Sequence, residues 1–207
     1  MKRAPRGIVA AIALACVTGT APARAGSAGP SAVIRETADA VVAVLNDGAL
    51  DTAQRRKRIE DIAYERFDFD TISRLVLGRN WKALSPAQQE EFLREFRALL
   101  SESYGRRIDR YEQEEVKIVG ERAEQRGDVT VQTKIVGGQA NDLQVDYRLR
   151  QKEGVWLVID VVVEGASLLS NYRSQFAEVW SQGGPETLLK RMRERKIATE
   201  PASADAG

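Results

Sequence analysis

The sequence contains no histidine and a single cysteine, Cys16. These absences exclude a Ser-His-Asp triad, Cys-His catalysis, zinc held by histidine or cysteine, and an internal disulfide. No phosphate-binding glycine loop, metal-ligand spacing or internal repeat is present either. We therefore expect no metal and no cofactor, and any chemistry would depend on carboxylates, lysine, arginine, tyrosine or serine.

The composition describes an ordinary folded chain. Of the 207 residues, 43% are hydrophobic and 29% are charged, which is enough apolar material for one globular domain with its own core. Intrinsic disorder over the whole chain and a fibrous structure are excluded.

The first 25 residues have the pattern of a secretory signal peptide. Lys2, Arg3 and Arg6 precede an apolar run from Ile8 to Val17, and small residues surround a cleavage site after Ala25. The apolar run is shorter than the roughly 20 residues that span a bilayer, which disfavours a membrane anchor. A lipoprotein that begins at Cys16 is the remaining alternative. We predict an exported, periplasmic protein.

Removal of the signal peptide makes the chain mildly acidic. The 25 residues contain four of the 31 basic residues and none of the 30 acidic ones. A slightly acidic protein lacks the basic surface that nucleic-acid binding requires, so no nucleic-acid partner is expected. Without cysteine, the exported chain depends on its core alone for stability.

The first half of the mature chain predicts helices. Apolar residues recur every three or four positions from Ser31 to Asn46 and from Asp51 to Glu65. Asp70 is predicted to cap a third helix that stops at Gly78. Ser85, followed by proline and by glutamine at the third helical position, predicts a capping box that opens a long amphipathic helix.

The second half predicts an antiparallel sheet. Apolar residues alternate with polar ones at 116–118, 129–135 and 143–149, as in half-buried strands. The run from Val155 to Val163 is apolar on both faces except at Asp160, whose carboxylate would need a hydrogen-bond partner or a cation. Ser167 is predicted to cap a further helix. The fold class is therefore α+β: a curved antiparallel sheet of about four strands with several helices packed on it.

Periodicity does not say whether this apolar layer is a solid core or a cavity, because the same side chains line both. Three segments, however, resemble the MlaC, or toluene-tolerance, family of periplasmic lipid-binding proteins. They are Phe67-Asp68-Phe69-Asp70 continuing to Leu75-Val76-Leu77-Gly78-Arg79-Asn80-Trp81, Val145-Asp146-Tyr147-Arg148-Leu149, and Asp160 to Leu168 with Asn171-Tyr172-Arg173-Ser174-Gln175-Phe176.

The resemblance covers roughly Val33 to Arg195 and implies a domain organisation. Residues 26–197 are expected to form an MlaC-like lipid-binding domain that encloses a hydrophobic cavity. Residues 198–207, rich in alanine, serine, proline and aspartate, are predicted from their composition to form a disordered tail. The resemblance also implies a function without catalysis. Family members carry phospholipid between an outer-membrane lipoprotein complex and an inner-membrane ABC transporter complex with an MCE-domain ring, and so maintain outer-membrane lipid asymmetry.

The sequence leaves three alternatives to a phospholipid carrier: a carrier of another lipid, an adaptor and an enzyme. A hopanoid could replace the phospholipid, as in a branch of the same family, or the protein could be a periplasmic adaptor that binds only proteins. An enzyme would have to use Asp160 and Tyr147 as its acid–base pair.

Periodicity also predicts which residues contact the lipid. The predicted sheet wall consists of Val131, Ile135, Val145, Tyr147, Leu149, Val158 and Val162. The predicted helix wall consists of Leu75, Val76, Leu100, Tyr104 and Ile108. Arg173 has two interpretations: it could bind a headgroup phosphate or a partner's carboxylate, or it could fasten its helix to the end of a strand.

Overall fold

The computed structural model describes residues 28–108, 113–138 and 142–197. The predicted signal peptide (residues 1–25) and the predicted tail (residues 198–207) lie outside this part of the chain. The described residues have an α+β fold, which confirms the predicted class. The elements are α1 (Pro30–Leu45), α2 (Thr52–Arg66), α3 (Phe69–Leu77), α4 (Pro86–Ile108), β1 (Glu115–Ala123), β2 (Val129–Val136), β3 (Leu143–Lys152), β4 (Val155–Val163), β5 (Ala166–Ser167), α5 (Leu168–Ser181) and α6 (Gly184–Arg193).

Short-range capping sets the beginnings of the helices. Asp51 and Gln54 form a reciprocal capping box at α2, and Ser85 and Gln88 do the same at α4. The predicted caps at Ser85 and Ser167 are confirmed. Within the described residues no helix is long and apolar enough to cross a membrane.

The predicted cap at Asp70 is wrong, because Asp68 caps α3. The Asp68 carboxylate accepts a hydrogen bond from the backbone N–H of Thr71 at 3.0 Å. The chain is still extended at this point: Phe67 bridges to Val158 of β4, and Asp68 N–H donates to the Val158 carbonyl. The helix therefore starts only after Asp68.

The five strands form one antiparallel sheet in the order β1-β2-β3-β4-β5. Four strands were predicted, and the fifth is a two-residue strand beside β4. Each of two strands carries one extra residue, Val119 in β1 and Ile159 in β4. Such β-bulges bend a strand and increase its twist. We call the face that carries Val131 and Tyr147, which are paired across β2 and β3, the inner face.

Two apolar clusters hold the helices to the sheet. In the larger one, the rings of Phe92, Phe96, Tyr172 and Phe176 meet at centroid distances of 5.3–5.7 Å and join α3, α4, α5 and α6. In the smaller one, Val33 and Ile34 of α1 pack on the inner face of the sheet. The second cluster covers only one end of that face, so the other end is left to the remaining helices.

Candidate functional site

A cavity of about 420 Å³ lies between the uncovered end of the inner face and helices α2 to α5. This volume is within the range of small-molecule sites, roughly 300–1,000 Å³. Most of the wall is aliphatic or aromatic. The apolar lining residues are Ile59, Ala63, Phe67, Phe69, Ile72, Phe96, Leu100, Leu143, Val145, Ile159, Val161, Val163, Leu168 and Leu169, and four tyrosines, Tyr64, Tyr104, Tyr147 and Tyr172, join them.

Alternation along β3 builds one side of the wall. Leu143, Val145 and Tyr147 project to the same face because successive side chains of a strand point to opposite faces. Val161 and Val163 of β4 are paired with Tyr147 and Val145, so they continue this wall on the neighbouring strand.

Two helices close the opposite side. Ile59 and Ala63 lie one turn apart on α2, and Phe96, Leu100 and Tyr104 lie at successive turns on α4. Ser101 of α4 donates a hydrogen bond to the Glu60 carboxylate of α2. This bond ties the two helices together at the edge of the cavity.

Asp160 is an acid in this apolar wall, and both of its carboxylate oxygens have donors. Ser167 Oγ donates to Oδ2 at 2.7 Å, and Leu169 N–H donates to Oδ1 at 3.0 Å. Burial raises the pKa of Asp160, and the hydrogen bonds from Ser167 and Leu169 offset this only in part. The carboxyl group thereby fixes the beginning of α5 against β4.

Two phenols in the wall are desolvated. Burial raises the pKa of Tyr147 to about 12, and burial also raises the pKa of Tyr172. These two groups stay neutral at physiological pH.

The structure places four of the predicted site residues on the cavity wall: Leu100, Tyr104, Val145 and Tyr147. Ile135 is paired with the lining residue Leu143 but is not itself part of the wall. The side chain of Ile108 lies outside the described part of the chain.

Three further predicted residues face the correct side of the sheet but lie under α1. Val131, Leu149 and Val158 are at most 1% exposed and pack with Val33 and Ile34. The alternation of apolar and polar residues placed these three residues on the correct face of the sheet. It does not show which half of that face a helix covers. They belong to the core beside the cavity.

Val162 is on the outer face, contrary to the prediction. Simple alternation places Val158 and Val162 on one face. The extra residue Ile159 shifts the register by one, so that Val158 pairs with Leu149 while Val162 pairs with Asp146. Val161 and Val163 line the cavity in its place.

On α3, the predicted residues are one turn too far along the helix. Val76 is 2% exposed in the helical core and Leu75 packs against that core. Phe69 and Ile72, near the start of α3, line the cavity instead. The apolar periodicity of α3 includes Phe69 and Ile72, but this periodicity does not show which end of the helix meets the cavity.

Arg173 also lies away from the cavity. It lines a separate cleft with Gly78, Arg79 and Asn80, and its Nη2 is 3.6 Å from the point that a Cβ of residue 78 would occupy. Gly78 has a φ of +53°, a conformation that glycine adopts without strain. Arg173 therefore packs on the end of α3. Two acids near the end of β4 have other partners: Asp160 accepts a hydrogen bond from Ser167, and Glu164 accepts one from the backbone N–H of Gln144.

The fold and the site define a class: an α+β protein whose antiparallel sheet and helices enclose a ligand-sized apolar cavity. Comparison with known families gives a match to the family described as MlaC protein over residues 35–194. The chain therefore belongs to the MlaC family, as the sequence motifs predicted.

Two curated relatives and one solved structure are similar to the chain. The intermembrane phospholipid transport system binding protein MlaC of Haemophilus influenzae is 28% identical over 134 residues, 61% of this chain and 60% of that protein. The toluene tolerance protein ttg2D of Pseudomonas putida is 25% identical over 118 residues, 56% of this chain and 55% of that protein. The chain thus aligns with less than two-thirds of the length of each.

The similar solved structure is the phospholipid-binding protein of Ralstonia solanacearum in complex with a phospholipid. It is 25% identical, has a TM-score of 0.74, and the match covers 81% of this chain and 97% of that one. The fold described above is therefore shared with a protein whose structure contains a bound phospholipid.

Proposed function

We propose that this protein is a periplasmic lipid carrier that holds the acyl chains of a phospholipid in the cavity. The observation that carries the proposal is the largely apolar wall between β3, β4 and the helices, lined by residues such as Val145, Val161 and Leu100. The phospholipid in the Ralstonia solanacearum structure supports this choice of ligand.

The energetics favour such a carrier. Moving a phospholipid through water exposes its acyl chains, at about 0.8 kcal/mol for each methylene group. A covered apolar cavity removes that exposure without a catalytic group. The polar headgroup does not depend on the apolar wall, so only the chains need to be enclosed by it.

The carrier would exchange lipid with one complex in each membrane. We propose an outer-membrane lipoprotein complex and an inner-membrane ABC transporter complex with an MCE-domain ring as partners, and maintenance of outer-membrane asymmetry as the role. The name of the Haemophilus influenzae relative, which assigns it to an intermembrane phospholipid transport system, supports this proposal. Export by a signal peptide of residues 1–25 would place the binding domain, residues 26–197, between the two membranes.

Among the sequence-predicted residues, we propose Leu100, Tyr104, Val145 and Tyr147 as lipid contacts, because they line the cavity. An enzymatic role for Asp160 and Tyr147 has less support. Both Asp160 oxygens already accept hydrogen bonds, and the pKa of Tyr147 is raised to about 12. We therefore propose binding and transfer without a chemical step.

Native mass spectrometry of the purified mature protein, followed by lipid extraction and lipidomics, tests the proposal. We expect one phospholipid per chain. A bound hopanoid would change the cargo to that of the alternative branch. A protein that purifies empty and takes up no lipid from phospholipid vesicles would contradict the carrier function and favour the adaptor.

A further inference from the structure

Arg97 places a guanidinium group in the wall of the cavity. It projects from α4, one turn before Ser101. Its guanidinium carbon lies 5.3 Å from the ring centroid of Tyr64 and 5.1 Å from that of Phe69. Both rings are themselves part of the wall and contact each other edge to face. The cation is thus held in place by two aromatic rings.

The hydrogen-bonding groups of this arginine are not used up by those contacts. A cation–π contact engages the charge and leaves the N–H donors available. Within the described part of the chain, the Nε atom of Arg97 is buried and has no hydrogen-bond partner. Leaving a buried donor unsatisfied is unfavourable, so a ligand that brought an acceptor here would gain affinity.

The other charged side chains of the wall are Arg56, Glu60 and Asp160. Glu60 accepts a hydrogen bond from Ser101, and Asp160 accepts from Ser167 and Leu169. Both acids of the wall are therefore engaged by other donors, and within the described residues neither supplies an acceptor to the Arg97 Nε.

We propose that Arg97 binds the phosphate of the lipid, so that the cavity prefers phosphate-bearing lipids to neutral lipids with the same chains. The inference rests on the proposed function and deepens it. The planar guanidinium forms short, charge-assisted hydrogen bonds to phosphate oxygens. A neutral diacylglycerol or a hydrocarbon-rich triterpenoid supplies no such acceptor.

Loading of the delipidated protein from vesicles tests the inference. The probes are dioleoyl phosphatidylglycerol and dioleoylglycerol in a neutral carrier lipid, and bound lipid is counted by mass spectrometry. We expect the wild-type protein to prefer the phospholipid by about tenfold or more. Arg97→Gln should reduce this preference to near parity while uptake of dioleoylglycerol is retained. Arg97→Lys keeps the charge but loses the planar donor pair, and it should give an intermediate preference.

Arg94→Gln is the matched control, since Arg94 is on the same helix, is 67% exposed and pairs with Glu95 outside the cavity. It should behave as the wild type. Equal preference in the wild type, Arg97→Gln and Arg97→Lys proteins would overturn the role of Arg97 and leave the carrier intact. Failure of the wild type to take up either lipid would instead contradict the carrier function.

Free phosphate is the other source of the same chemistry. Binding of inorganic phosphate to the delipidated protein, dependent on Arg97 and without discrimination between the two lipids, would overturn the assignment to a lipid headgroup. Discrimination between the two lipids that persists in about 10 mM inorganic phosphate would support the assignment to a lipid headgroup.

Discussion

At the scale of single residues, Val161 and Val162 are neighbours in β4 with opposite surroundings. Val161 lines the cavity, whereas Val162 pairs with Asp146 on the outer face. Both are half-buried. The bulge at Ile159 decides this assignment, and it can be tested by filling the cavity from one position only.

Val161→Trp should displace lipid, because the larger ring occupies space that the acyl chains need. We expect at least a several-fold loss of co-purified lipid, with an overpacking cost of about 1–3 kcal/mol. Val162→Trp is the matched control and should keep its lipid. Equal lipid content in the two folded variants, measured by mass spectrometry, would contradict the register described here.

Asp160 should make the stability of the fold depend on pH, and it should not contribute to lipid binding. Its pKa is raised by burial, so the folded state prefers the protonated acid, and stability is lost as the pH rises from about 4 through the folded-state pKa. Asp160→Asn removes this loss and leaves Ser167 with a side-chain partner. As the pH rises from 4 to 8, the melting temperature of the wild type should fall relative to that of the variant. Parallel curves, or loss of bound lipid in Asp160→Asn, would disprove this role.

Arg173 should matter for the end of α3 and not for the ligand. Its guanidinium lies against Gly78, in a cleft separate from the lipid cavity. We expect Arg173→Ala to keep its lipid and to lose about 1 kcal/mol or less of stability, as for a largely exposed contact. Normal stability together with loss of lipid would favour the headgroup interpretation instead.

At the scale of secondary-structure elements, a buried carboxylate fastens β3 to the beginning of β2. Asp128 is fully buried and accepts hydrogen bonds at 2.6–3.0 Å from Arg148 and Arg150 of β3. Burial alone would raise the pKa of Asp128, but the bonds from Arg150 and Arg148 outweigh it and lower the pKa.

Asp128→Asn should therefore destabilise the sheet by about 2 kcal/mol at pH 7, because two charged hydrogen-bond donors lose their anionic partner. The loss is not larger because both arginines are about one-third exposed and solvent screens part of the interaction. The wild-type advantage is present above about pH 4 and is lost as the pH falls through the lowered folded-state pKa. Denaturant titrations at pH 7 and pH 3 measure this. Asp61→Asn, which breaks an exposed pair with Lys57, should change stability by less than about 0.5 kcal/mol and serves as the control.

The same scale separates what was predictable from what was not. The caps at Ser85 and Ser167 depend on residues only three positions away, so the sequence contained all the information needed. The bulge at Ile159 depends on how β4 pairs with β3, and the choice of Asp68 over Asp70 depends on the bridge from Phe67 to Val158. Neither is a local property.

The cavity itself follows the same division. Alternation along β3 correctly grouped Val145, Tyr147 and Leu149 on one face. It could not show that α1 covers Leu149 and leaves the other two open to the cavity. The family motifs identified the class of protein, whereas the boundary between core and cavity required the packing of helices that are distant in sequence.

At the scale of the whole molecule, the helical cluster and the α1 cluster lie on either side of a cavity of about 420 Å³. Side chains on its wall lose packing partners when the cavity is empty. A ligand that binds only the folded state stabilises it according to its concentration relative to its dissociation constant, by about 2.7 kcal/mol at a hundredfold excess.

Removal of bound lipid should consequently lower the melting temperature by about 5 °C or more, as expected for a domain of this size. Incubation of the delipidated protein with phospholipid vesicles should restore the original value, whereas Val161→Trp should show little response because its cavity is occupied by the added ring. Calorimetry of the lipid-bound, delipidated and reloaded wild-type proteins and of Val161→Trp measures these melting temperatures. If the delipidated and loaded wild-type proteins melted at the same temperature, the lipid would not bind the folded state in preference to the unfolded chain, and the proposed occupation of the cavity would be contradicted.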